Sequence, residues 1–221
     1  MEVIELMRKR HSVRSYTDQK IEGDIKEGLL QCIDECNKES GLHIQLCLDE
    51  PKAFDSLMAH YGKFENANNY IALVGQKSSD LAEKCGYFGE KIVLKAQELG
   101  LNTCWVAGTY SKGKSTGQVD KGERLCLVIA IGYGKTQGVP HKSKTFADVS
   151  KASGDRPEWY RLGVEAALLA PTAMNQQKFQ FSLSGNEVSA KALRGFGSKI
   201  DLGIVKYHFE MVAGKENFKW K

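Results

Sequence analysis

The chain has 221 residues, is 42% hydrophobic and 26% charged, and carries a formal net charge of +4. This is the composition of a folded globular protein long enough to bury a core. Its lysines interleave with acids instead of forming one basic face, which argues against a nucleic-acid binder, and no run approaches the roughly 18 apolar residues of a membrane helix.

The N-terminus reads Met1-Glu2-Val3-Ile4-Glu5, with acids and no apolar h-region. No secretory leader and no membrane partner are expected, and the compartment expected is the cytoplasm. Residues 2–9 read as a short helix running into the basic cluster Arg8-Lys9-Arg10-His11-Ser12-Val13-Arg14. Ile25, Leu29, Cys32, Ile33 and Cys36 recur at helical spacing over residues 23–38. Residues 43–48 alternate like a strand, 52–60 read as helical, and 70–74 form a short buried strand closed by Gly75. The longest helix is expected over 79–99, with Gly100 as its C-cap because glycine adopts the left-handed conformation cheaply.

A Gly, Ser and Lys-rich loop follows over 108–122, then an apolar strand over 124–131 that suits a sheet interior covered on both faces. Residues 135–156 are polar and read as a surface wrap. A second helix (158–169), a loop at 170–177, a strand (179–183), a turn at Gly185-Asn186 and a helix (201–213) complete the chain. Helix, loop, strand and helix thus occur twice. The expected class is α+β, with a first half over 1–150 and a shorter second half over 151–221 sharing one core.

The six cysteines include Cys47, Cys104 and Cys126 in apolar runs, read as small core residues. Cys32 and Cys36 share a helix face, but no His or Cys partners follow at ligand spacing, so no metal is expected. Arg10, Ser12 and Arg14 alternate, which in extended backbone places them on one face. Two guanidiniums and a hydroxyl converging on one point suit a phosphate; a solvated charged turn is the alternative. The segment Pro171-Thr172-Ala173-Met174-Asn175-Gln176-Gln177 offers polar groups to a flat hydrogen-bonding ligand, or is an ordinary turn after a helix. No Ser-His-Asp or paired-carboxylate arrangement stands out, and no catalytic side chain is assigned.

These segments carry a resemblance. Arg10-His11-Ser12-Val13-Arg14-Ser15-Tyr16 resembles the flavin-phosphate motif of the nitroreductase family, and Pro171–Gln177 is similar to that family's Pro-Ser-x-x-Asn-x-Gln loop. Leu99-Gly100-Leu101-Asn102-Thr103-Cys104-Trp105 and Ala130-Ile131-Gly132-Tyr133 look like the segments after its long helix and at the end of its central strand. The proline-asparagine loop of typical members follows the second helix, where this chain has Glu39-Ser40-Gly41-Leu42. Here it follows the equivalent helix of the second half. Typical members are homodimers in which the partner contributes this loop, so the resemblance implies a nitroreductase-like fold with a mainly antiparallel central sheet flanked by helices. It further implies a single-chain pseudo-dimer, like the internally duplicated TM nitroreductase branch, and a monomer with an internal pseudo-two-fold.

The resemblance assigns Arg10, Ser12 and Arg14 to the phosphate and ribityl chain of FMN. It assigns Pro171, Thr172, Ala173 and Asn175 to the isoalloxazine ring. Val106, Ala107, Gly108 and Thr109 align with the loop whose backbone N–H groups face the flavin N5 edge. Members often carry Glu where Ala107 stands, so only a backbone role is left at that position. Lys142 and Lys144 match a late basic pair that reaches the phosphate. The expected activity is transfer of hydride from NADH or NADPH through FMN to a small electron-poor acceptor such as a nitroaromatic or quinone. A flavin-binding carrier or sensor without turnover is the alternative. No Gly-x-Gly-x-x-Gly fingerprint follows a strand, so the nicotinamide is expected to bind transiently over the flavin.

Overall fold

The computed structural model describes residues 2–55, 62–151 and 156–221. Two compact units interleave along the chain: one comprises Arg10–Leu81 and Lys91–Val139, the other Met1–Lys9, Ala82–Glu90 and Pro140–Lys221. They are called the sheet unit and the helical unit below. Among the described residues no helix is long and apolar enough to cross a membrane.

The elements follow the apolar periodicities closely. Helix α1 is Val3–Lys9, α2 is Gly23–Ser40 and α3 is Leu81–Glu98. α2 stops at Gly41, which takes the left-handed conformation (φ 70°) and returns its N–H to the Asn37 carbonyl at 2.9 Å. After α3, Gly100 is left-handed as expected (φ 82°), and Leu101 N–H closes on the Ala96 carbonyl at 2.9 Å. Strands β1 (Gln45–Cys47), β2 (Tyr70–Gln76), β3 (Asn102–Val106) and β4 (Glu123–Gly132) form one antiparallel sheet in the order β1-β2-β4-β3. β4 lies inside this sheet, with Leu127 to Ile131 buried on both faces. On one face Tyr70, Ala72, Val74, Cys104, Val106, Val128 and Ala130 pack with Val13, Tyr16, Phe54 and Phe64. The expected helix over 52–60 is seen only as a 3-10 turn at Pro51–Ala53, and residues 56–61 lie outside the described residues.

The helical unit adds short α4 (Phe146–Val149), α5 (Glu158–Ala167) and α6 (Ser198–Ala213). α4 breaks the segment read as a plain surface wrap. Its capping box pairs Thr145 with Asp148, each satisfying the other's backbone N–H. β5 (Phe179–Ser184) and β6 (Glu187–Ala192) form a hairpin about Gly185-Asn186, and β7 (Lys219–Trp220) pairs parallel to β6. α5 packs along α6, where Gly163 makes room for Phe209, since a Cβ there would lie 2.7 Å from the ring. Phe209 stacks on Phe181 at 5.0 Å and meets Phe218 edge-on at 5.1 Å. The unit's core is thus aromatic.

The order α2–β1–β2–α3–β3 recurs as α5–β5–β6–α6–β7. β1 and β2 are antiparallel, as are β5 and β6. β3 and β2 are both antiparallel to β4, so β3 runs in the direction of β2, just as β7 runs with β6. Among the described residues the later copy lacks the β4 counterpart. Strands β3, β6 and β7 were not anticipated from the sequence: Asn102–Val106 is short and follows a helix cap directly, and β6 (Glu-Val-Ser-Ala-Lys-Ala) has little apolar content.

Candidate functional site

In the sheet unit the basic segment is extended and stitched to strand β3. Ser12 bridges Thr103 in parallel sense, and Val13 N–H donates to the Thr103 carbonyl at 3.0 Å. Further along, Tyr16 N–H donates to Glu65 O (3.0 Å), Lys135 N–H to Ser15 O (2.9 Å) and Thr17 N–H to Tyr133 O (2.8 Å). Val13 and Tyr16 point into the core, and the Tyr16 hydroxyl donates to the Val13 carbonyl at 2.6 Å. Gly132 and Gly134 let the strap lie close: a Cβ would sit 2.9 Å from the Tyr16 ring at Gly132 and 2.9 Å from Val13 at Gly134. The strap is therefore fixed by backbone pairing on both edges, which fixes where its side chains emerge.

Arg10 is buried, Ser12 half-buried and Arg14 exposed. All three act on the Cys104 thiol. Burial pushes this thiol up, while the Arg14 guanidinium, a hydrogen bond with Ser12 and the Arg10 guanidinium act in the opposite direction. The three side chains thus bear on one sulfur of β3 from unlike surroundings, Arg10 buried and Arg14 exposed. His11 turns elsewhere, and its Nδ1 meets the Gln137 carbonyl at 3.1 Å. β3 ends at Val106, and Ala107 and Gly108 beyond it are exposed backbone, with Thr109 half-buried. Ala107 lies four residues along from Thr103, roughly 13 Å of strand at about 3.3 Å per residue.

The helical unit holds the other sequence-predicted residues. The Pro171–Gln177 loop contains a 3-10 turn, Ala173–Asn175. Met174, Asn175 and Gln177 all take left-handed backbone, at φ 52°, 53° and 47°. Three non-glycine residues in that region over four positions need support from their surroundings. Inside the loop, Asn175 N–H donates to Thr172 O (2.9 Å) and Gln177 N–H to Thr172 Oγ1 (3.0 Å).

From one side Gln177 serves as a hub, only 3% exposed. Its Oε1 accepts from Lys144 N–H (2.8 Å), its carbonyl from Lys144 Nζ (2.9 Å), and its Nε2 donates to Lys142 O and Asn175 Oδ1, both at 2.9 Å. Asn175 Nδ2 also donates to Lys142 O at 2.9 Å. From the other side Asp201 on α6 accepts Ala173 N–H (3.0 Å) and Gln176 Nε2–H (3.1 Å). Burial pushes the Asp201 carboxyl up to about 6, against the two hydrogen bonds that lower it.

The loop thus arrives prefolded. Pro171 and Thr172 are half-buried, Ala173 is half-buried, and Met174 and Asn175 face solvent, Met174 at 81% exposure. Lys142 is exposed, whereas the Lys144 ammonium is engaged on the loop's own carbonyl. Sequence reading missed Asp201 and understated Gln177. An Asp in the first turns of a helix, 28 residues from its partner, leaves no local signal of that partnership.

Elsewhere, Cys32 and Cys36 form the hydrogen-bonded thiol pair implied by their spacing, which lowers Cys32 and raises Cys36. His43, Asp120 and Glu123 bring ligand atoms within 4.8 Å of one another. That cluster closes the sheet edge instead: His43 Nδ1 meets Glu123 Oε2 at 3.0 Å, and Asp120 N–H donates to the same oxygen at 2.9 Å.

No curated protein matches the chain. Among solved structures, a nitroreductase from Thermotoga maritima is 24% identical, with 96% of this chain and 83% of that one covered and a TM-score of 0.68. An NADH dehydrogenase/NAD(P)H nitroreductase from Parabacteroides distasonis is 18% identical over 67% of this chain and 96% of its own, with a TM-score of 0.53. A nitroreductase in complex with FMN from Desulfovibrio desulfuricans is 18% identical over 67% and 94%, with a TM-score of 0.52. These likenesses establish a nitroreductase fold of α+β class. The family described as Putative TM nitroreductase matches residues 2–213, and the chain therefore belongs to that family.

Proposed function

We propose that this protein is an FMN-dependent oxidoreductase that passes hydride from NADH or NADPH through FMN to a small electron-poor acceptor such as a nitroaromatic or quinone. The observation that carries the reading is the extended Arg10-to-Arg14 strap, paired to β3 through Ser12 and Val13. Two guanidiniums and a hydroxyl on one extended segment offer the donor set of a phosphate group, and strand β3, to which that segment is paired, leads to the exposed backbone of Ala107 and Gly108. The fit is therefore chemical, through the donor set, and linear, through the strand. The structural relative from Desulfovibrio desulfuricans was solved with FMN, which supports the same assignment.

In this reading Arg10, Ser12 and Arg14 hold the phosphate and ribityl end. Val106, Ala107, Gly108 and Thr109 present backbone N–H groups toward the ring's N5 edge, where a fixed dipole stabilises developing charge. Pro171, Thr172, Ala173 and Asn175 line the ring, and Lys142 adds a cation near the phosphate. Lys144 serves first as a brace of the 171–177 loop, since its ammonium bonds Gln177 O. Bound FMN supplies the redox chemistry, so the protein's task is to bind, orient and exclude water. The repeated α–β–β–α–β order and the matching directions of β3 and β7 support a pseudo-dimer in one polypeptide, with 1–150 and 151–221 as its two halves and one FMN per chain.

Ala107 favours a second reading, a flavin-binding carrier or sensor without turnover, because a methyl group stands where related proteins often have a carboxylate. Anaerobic addition of NADH or NADPH to purified protein separates the two. Bleaching of the flavin band, at one FMN per chain, is expected for the enzyme. Bound flavin that neither nicotinamide reduces would leave the carrier.

A further inference from the structure

We propose that Asp201 is the positioning residue of the Pro171–Gln177 loop, and that its charge sets how readily this loop opens. The assignment of the loop to the flavin rests on the function proposed above; the anchoring itself does not. Asp201 is 3% exposed and lies in the opening turns of α6, after Gly197 has turned the chain in left-handed conformation (φ 68°). Its two oxygens take separate donors of the loop: Oδ1 the Ala173 N–H at 3.0 Å, and Oδ2 the Gln176 amide at 3.1 Å. The Gln176 amide also donates to Phe196 O at 2.5 Å, so this side chain ties the loop to the α6 entry at two points.

The left-handed Met174 and Asn175 lie between those two tethers. Strained backbone of this kind persists only where surrounding groups hold it. Gln177 and Lys144 brace the loop's far end through neutral and cationic donors. Asp201 braces its near end with a carboxylate. The groups that act on that carboxylate are the Ala173 N–H and the Gln176 amide, both neutral, and burial outweighs them.

The direction follows from linkage. With the loop closed the carboxyl holds its proton up to about pH 6; once the loop opens and water reaches it, the group reverts to an ordinary carboxyl near 3.9. The closed form therefore binds the proton more tightly and is favoured at low pH. Raising the pH through 6 favours opening. Over pH 5 to 8 the opening equilibrium rises on the order of tenfold.

The test is amide exchange on the flavin-free full chain at Ala173 to Gln177, corrected for intrinsic rates, at pH 5 and 8. Wild type is expected to show the roughly tenfold rise in opening, and Asp201→Asn, a neutral group of the same shape, none. Asp201→Ala should exchange fast at both pH values. A wild-type profile as flat as that of Asp201→Asn, or protection in Asp201→Ala equal to wild type, overturns the proposal. FMN release rates from wild type and Asp201→Asn are measured in parallel. Release that accelerates with pH in wild type more than in the variant ties the anchor to the flavin, and equal acceleration in both refutes that tie. Failure of wild type to bind FMN at all defeats the proposed function instead, and the exchange data then judge the anchor by themselves.

Discussion

Gly203 on α6 and Gly86 on α3 sit at a close helix crossing in the helical unit, and Gly203→Ala tests what that crossing holds in place. A Cβ on Gly203 would fall on the Glu83 carbonyl oxygen and 2.6 Å from Tyr87 N. A Cβ on Gly86 would fall on the Ile200 carbonyl oxygen and 3.1 Å from Gly203 Cα. Backbone atoms cannot rotate away as a side chain can, so the helices must separate. Alanine gains about 1 kcal/mol of helix propensity over glycine. Overpacking against backbone costs about 1–3 kcal/mol or more, and lost packing across the widened crossing adds to it.

The expected net destabilisation is roughly 2 kcal/mol, or about 4–8 °C in melting temperature for a chain of this size. Gly28→Ala on α2 is the control, because its Cβ would meet Leu99 Cδ1 at an ordinary 3.4 Å; it should be neutral or stabilising by up to about 1 kcal/mol. Urea and thermal denaturation of both variants measure the difference. Because Asp201 lies two residues before Gly203 on the same helix, Gly203→Ala should also loosen the Ala173–Gln177 amides. A Gly203→Ala protein as stable as wild type, or a Gly28→Ala protein destabilised equally, would refute the reasoning.

Removing the exposed guanidinium in Arg14→Ala should weaken FMN binding by about 1.5–3 kcal/mol, roughly 10- to 100-fold, in a fluorescence titration; unchanged affinity would count against the phosphate role. The Asp201 carboxyl is raised to about 6 in the folded chain, so its contribution to stability is fully present below its unfolded value near 3.9 and is lost as pH rises through 6. Asp201→Asn should accordingly gain up to about 2.4 kcal/mol relative to wild type between pH 4 and pH 8, less any hydrogen bond the amide cannot remake, as read from urea midpoints at the two pH values. His208 and Glu90 are both fully buried and meet at 2.8 Å, with His208 Nδ1 on Ala166 O at 3.0 Å. His208→Ala should cost about 3–5 kcal/mol because a buried carboxyl loses its imidazole partner. Phe209→Ala should cost a similar amount, about 3–5 kcal/mol, through the cavity left among Tyr160, Phe181, Phe218 and Trp220.

The apolar periodicity of residues 23–38, 79–99, 158–169 and 201–213 was enough to locate the four long helices, because each must bury one stripe of side chains. The unbroken apolar run at 124–131 marked β4 as an interior strand for the same reason. Spacing also put Arg10, Ser12 and Arg14 at alternate positions of the strap, since backbone alternation is a property of any extended segment. Strands β3, β6 and β7 were hidden because their pairing partners, and not their own composition, make them strands. The sequence also marked Pro171–Gln177 as a turn, either toward a flat ligand or simply ending a helix.

Only the tertiary structure decided how that turn is held. Asp201 reaches Ala173 across 28 residues, and Gln177 meets Lys144 across 33. Such partnerships depend on where helices and loops come to rest, and no local pattern encodes them. The strained turn and its buried carboxylate anchor are therefore products of packing, whereas the alternation of Arg10, Ser12 and Arg14 was already written in the order of five residues.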